Sequence, residues 1–207
     1  MKWKEGGQFE NPPAGEHIAR CFQLVDMGTQ PHTFDGIVTL RRDVKIVFEL
    51  PLCPMTGKYN PESKGRPFAV SKTFKQSLHT ASALRPFLES WRGKKFTREE
   101  IAAYDPRKLV GAPCKLTLIE NGEYVNIDHI AKLPPNDCPK MVNEPLFVSL
   151  DPTEFKPEDF GRLSEKMQEK IKASPEYQAL FAKKPSVDET AADELHPTEA
   201  EEDSTPF

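Results

Sequence analysis

The sequence predicts a mainly β protein with short helices: a five-stranded barrel with a helix between strands three and four, then C-terminal helices and a disordered acidic tail. Three observations lead there. Segments of apolar and polar alternation recur along the first 133 residues, as strands with one buried face require. One stretch of helical period interrupts them. Residues 185–207 hold eight acids and no Lys or Arg, a composition that cannot bury enough apolar surface to offset the entropy of ordering.

Residues 1–14 are polar, end in Asn11-Pro12-Pro13 and read as an N-terminal arm. Residues 15–133 form the main domain. His17 to Asp26 is rich in β-formers and predicts strand one, which Gly28 to Gly36 closes with turn residues. In Asp43 to Leu50, Val44, Ile46, Phe48 and Leu50 share one face, so this is a half-buried second strand. Pro51 to Pro67 carries Pro and Gly throughout and predicts a long exposed loop. Phe68 to Lys75 is strand three, with Phe68, Val70 and Phe74 opposite Ala69, Ser71, Thr73 and Lys75.

The period then changes. Leu84, Phe87, Leu88 and Trp91 fall at helical spacing, so a helix runs from near Ser82 to a stop at Gly93. Thr97 and Glu100 have capping-box spacing, predicting a short helix over Arg98–Tyr104. Lys115 to Ile119 and Tyr124 to Ile130 alternate around Asn121-Gly122, a hairpin signature. Residues 134–184 are proline-rich with two short helices packed on the body, one carrying Leu163, Met167 and Ile171, the next starting at Ser174-Pro175. Residues 185–207 form the tail. Three strands, a helix and a hairpin is the element order of the oligonucleotide-binding (OB-fold) barrel, with an open α+β sheet as the alternative.

Charge is distributed unevenly. Residues 1–150 carry 21 Lys+Arg against 17 Asp+Glu, and residues 151–207 carry 7 against 15, so a basic body bears an acidic end. No apolar run reaches membrane-span length and no signal region opens the chain, which predicts a soluble protein of the cytoplasm. Four irregularly spaced cysteines predict free thiols and neither metal nor cofactor. No catalytic motif is present, and the acids of the body are scattered, so the sequence predicts no enzyme.

The stretch from Arg41 to Lys75 threads aromatics through cations, the mixture that single-stranded nucleic acid requires: charge along the phosphates and rings under the bases. The candidate contacts are Lys45, Phe48, Lys58, Tyr59, Lys64, Arg66, Phe68, Lys72, Phe74 and Lys75, extended by Arg92, Lys94 and Lys95 at the end of the first helix. Core packing competes with base stacking for Phe48, Phe68 and Phe74, whereas Tyr59 lies in the proline-rich loop. The cations near Arg92 also suit the negative end of a helix dipole.

The ending Glu201-Glu202-Asp203-Ser204-Thr205-Pro206-Phe207 resembles the C-terminal peptide of bacterial and phage single-stranded DNA-binding proteins, an acidic run closed by Pro-Phe. It departs from the bacterial pattern at Ser204 and Thr205. The body is similar to phage-encoded proteins thought to bind single-stranded DNA, through Gly15-Glu16-His17-Ile18-Ala19-Arg20-Cys21, Asp26-Met27-Gly28-Thr29-Gln30, Ser77-Leu78-His79 and Leu88-Glu89-Ser90-Trp91-Arg92-Gly93. These resemblances imply sequence-independent binding of single-stranded DNA in phage replication, recombination or repair. They also imply that Glu201, Glu202, Asp203, Pro206 and Phe207 dock partner enzymes, and a host bacterial cytoplasm as location. Homo-oligomers are compatible with this reading. An adaptor protein using the same barrel to bind protein, or an annealing and recombination mediator, are the alternatives.

Overall fold

A computed structural model describes residues 9–182. Two long strands dominate it. β1 (Gly15–Phe34) and β2 (Ile37–Pro54) run antiparallel, so the turn expected over Gly28–Gly36 is instead the last third of a strand. The physical reason lies in Asp35-Gly36, whose φ values of 49° and 74° put both residues in the left-handed region that a two-residue hairpin turn needs. Gly28, also left-handed at 66°, marks a bulge in the ladder and does not reverse the chain.

β2 pairs next with β3 (Pro67–Lys75), and the connection between them is a compact loop closed by Met55 N–H donating to Arg66 O at 2.8 Å. Helix α1 (Leu84–Arg92) ends on left-handed Gly93, and α2 (Arg98–Ala102) has both bonds of the Thr97–Glu100 capping box. β4 (Pro113–Asn121) and β5 (Tyr124–Lys132) form the expected hairpin, but Asn121 pairs with Tyr124, so the turn is Gly122-Glu123, one residue later than Asn121-Gly122. A short strand β6 (Leu146–Val148) lies parallel to β1. Three helices follow: α3 (Pro157–Gly161), α4 (Glu165–Lys172) and α5 (Pro175–Phe181), the last capped by Ser174 Oγ accepting from Tyr177 N–H.

The sheet order is β3-β2-β1-β4-β5, antiparallel and open. The outer edges, β3 and β5, share no ladder, so the expected barrel is not closed by backbone hydrogen bonds. One side chain reaches across the gap: Lys72 Nζ donates to Ile127 O at 2.7 Å.

Each face of the sheet carries its own core. On one, Phe48, Leu50, Phe68, Val70 and Phe74 pack on the Leu84, Phe87, Leu88 and Trp91 stripe of α1. Phe48 meets the Trp91 ring at 5.2 Å and Phe74 meets Phe87 at 4.7 Å. The thiol of Cys21 is enclosed here, and burial pushes it up to about 12. On the other face, Val25, Met27, Leu146, Val148, Phe160, Leu163 and Ile171 fix β6 and α3–α5 to β1, so residues 134–182 belong to the folded body.

A buried carboxylate holds the incoming segment in place. Glu49 is fully enclosed and accepts from Val142 N–H, Asn143 N–H and Asn143 Nδ2, each within 2.8 Å. Glu49→Ala leaves these donors without a partner and is expected to cost about 3 kcal/mol. Urea unfolding checks it, and a change within the scatter of ordinary surface substitutions would contradict this role for Glu49.

Candidate nucleic-acid interface

Alternation along β2 sends Val44, Ile46 and Phe48 into the α1 core and turns Asp43, Lys45, Val47 and Glu49 to the opposite face. On β3 the partners on that face are Lys75, Thr73, Ser71 and Ala69, all exposed. These β3 positions stand in solvent, whereas on β2 Glu49 lies beneath Val142 and Asn143.

At one end of this face the chain builds a cavity of about 640 Å³ between α4 and the β1–β2 hairpin. Lys45 lies half-buried in it, facing Lys166 and Lys170 from α4. Burial, followed by the charges of Lys170 and Lys166, lowers the Lys45 ammonium below the usual lysine range. The carboxylate in the cavity wall, Asp43, is already engaged: Arg41 Nε donates to it at 2.7 Å, and His32 Nε2 lies 2.7 Å from its second oxygen. Lys45, Lys166 and Lys170 form no ion pair among the described residues. Three converging ammonium groups without a matching anion form a site for a polyanion.

The opposite end of the face carries the β2–β3 loop. The ladder between Asp43–Lys75 and Leu50–Phe68 spans roughly 23 Å at about 3.3 Å per residue. Lys58, Lys64 and Arg66 are exposed there, and the Tyr59 ring is 42% exposed with Lys58 Nζ 4.9 Å from its centre. A ring with one open face and a cation beside it is equipped to stack on a base.

Several of the other expected contacts have structural roles instead. Phe48, Phe68 and Phe74 are buried against α1, so they hold the core together and present no ring to a ligand. Lys72 points inward with Phe68, Val70 and Phe74; its ammonium is used by Ile127 O and lies over the Phe74 and Phe87 rings. Arg92 and Lys94 both donate to Glu100 Oε1 at 2.7 Å, tying the end of α1 to α2, with Arg92 also stacked on Phe96. Lys94 and Arg92 hold the Glu100 carboxyl down to about 2. This linkage therefore contributes above the ordinary carboxylate range and is lost only as pH falls toward that value. Lys95 is exposed beside this pair. Glu201, Glu202, Asp203, Pro206 and Phe207 lie outside the described residues.

Sequence reasoning missed Lys166 and Lys170. Their i, i+4 spacing, with no acid between them except Glu169, marks one face of α4 and was the available signal. Among the described residues no helix is long and apolar enough to cross a membrane. In comparisons with known proteins the chain matches no family model, no curated protein and no solved structure.

Proposed function

We propose that the chain is a non-enzymatic, sequence-independent single-stranded DNA-binding protein of phage replication or recombination, built as an oligonucleotide-binding barrel whose β3–β5 seam is bridged by Lys72. The observation that carries this reading is the outer β2–β3 face, bounded by Lys45, Lys166 and Lys170 at one end and by Lys58, Tyr59, Lys64 and Arg66 at the other. Phosphates follow the cations, and the exposed ring of Tyr59 takes a base. The strand order and the helix between β3 and β4 support the barrel type, in which this same face is the usual ligand surface.

The acidic tail recruits replication, recombination or repair enzymes through Glu201, Glu202, Asp203, Pro206 and Phe207. In low salt, removing residues 188–207 is expected to tighten binding to oligo-dT, because an attached polyanion competes for the same cations. Deleting Phe207 alone is expected to spare DNA binding and abolish capture of partner enzymes. Weaker oligo-dT binding after tail removal would contradict this division of labour. The binding mode itself is tested by salt: log affinity falls with log salt by about 0.7 per phosphate neutralised on a single strand. An affinity independent of salt would rule out the cationic face as the binding surface.

A further inference from the structure

The β1–β2 hairpin does not stop where the sheet stops. β3 leaves β2 at Asp43, and β4 and β6 leave β1 at Arg20 and Val25; Thr29 and Gln30 are still bonded to Glu176 and Lys170 of the C-terminal helices, and beyond them the two strands continue to Asp35-Gly36 as a free two-stranded ribbon. Its side chains are the wrong ones for water. Phe34 is 84% exposed, Ile37 66%, Val38 63% and Leu40 74%. Between Pro31 and Leu40 the one formal charge is Asp35 at the tip, so this segment offers nothing to a phosphate backbone.

A two-stranded ribbon is marginally stable in water unless a further strand or packed surface joins it. The outer edge of β2 from Ile37 to Arg41 has no hydrogen-bonding neighbour among the described residues, which makes it a template for another strand. This edge is complementary to itself. In antiparallel pairing about a two-fold axis at Thr39, Val38 lies opposite Leu40 of the second copy and Ile37 lies opposite Arg41. Thr39 meets Thr39, a favourable cross-strand pair, and within Ile37–Arg41 no two like charges meet.

We propose that the arm is a self-association element: two copies of the chain pair edge to edge through Ile37–Arg41, forming one four-stranded ribbon in which Val38 and Leu40 of each copy pack across the seam on one face. Phe34, on β1, lies outside this seam. The inference is independent of the nucleic-acid reading, because the arm apolar residues lie beyond the lysine cavity.

Light scattering on the full chain at tens of micromolar is expected to give twice the single-chain mass. Val38→Lys and Leu40→Asp, each alone, should return the single-chain mass with an unchanged circular dichroism spectrum, since neither residue touches a core. Mixing the two variants should restore the double mass, because the introduced ammonium of one chain then faces the introduced carboxylate of the other across the axis. Thr39→Cys should cross-link to itself under mild oxidation. A wild-type chain of single mass overturns the proposal, as does a Leu40→Asp chain that keeps the double mass. A double-mass Thr39→Cys chain that fails to cross-link overturns the register. A Leu40→Asp chain of unchanged mass that has lost oligo-dT binding assigns the arm to nucleic acid instead.

Discussion

Replacing Lys45, Lys166 and Lys170 together by glutamine is expected to weaken oligo-dT binding by about 30-fold at low salt and to flatten the salt slope by about 2, three contacts at about 0.7 each. The expectation follows from the lysine cavity between α4 and β2, where the three ammonium groups have no carboxylate partner among the described residues. The same geometry makes an opposite prediction for stability. Burial and two like charges lower Lys45, so its charged form is disfavoured in the folded chain relative to the unfolded one. Lys45→Met should therefore raise the melting temperature while it weakens DNA binding. Raising pH through the lowered Lys45 range should likewise stabilise the free protein. Fluorescence anisotropy and thermal unfolding on one sample check both signs, and a Lys45→Met chain that loses stability and keeps its affinity would contradict the assignment.

The second large effect separates the aromatics. Phe48 is fully buried against Trp91, so Phe48→Ala is expected to cost about 3–5 kcal/mol of stability. The fraction that remains folded should bind oligo-dT as wild type does. Tyr59→Ala should do the reverse, leaving the unfolding midpoint in place and weakening binding by about 1–3 kcal/mol, the contribution of one stacked base. A Phe48→Ala chain of normal stability and impaired binding would return that ring to the interface.

What could be read in advance follows the range of each signal. β3, the α1 stripe, the Thr97–Glu100 capping box, the Ser174-Pro175 start and the β4–β5 hairpin are specified by neighbouring residues, and each forms as expected, with the hairpin turn shifted by one residue to Gly122-Glu123. The long β1–β2 ribbon was misread although its signal is equally local. Asp35-Gly36 is a hairpin turn, but Gly28 and Pro31 suggested an earlier break in the strand. β6 has three residues and exists only because β1 pairs with it, so no periodicity could announce it.

The candidate interface shows the same division. Alternation already placed Lys72 on the side of Phe68, Val70 and Phe74, and counting charge along the strand overrode that signal. The use of Arg92 and Lys94 by Glu100 depends on how α1 and α2 meet, which spacing does not reveal. Lys166 and Lys170 come to Lys45 only through the docking of α4 on β1, more than a hundred residues away in sequence. The lysine cavity of the candidate interface is thus a tertiary product, whereas the basic and aromatic character around Lys58 and Tyr59 is legible from composition.

Preference for single strands is decided by a parallel titration of the full chain with labelled oligo-dT and with a duplex of equal length at fixed salt. Tight binding to the single strand with clear preference over the duplex is the result expected from a lysine-lined cavity and an exposed ring on one face. Equal affinity for the two, or binding to neither, would contradict the single-stranded DNA-binding function.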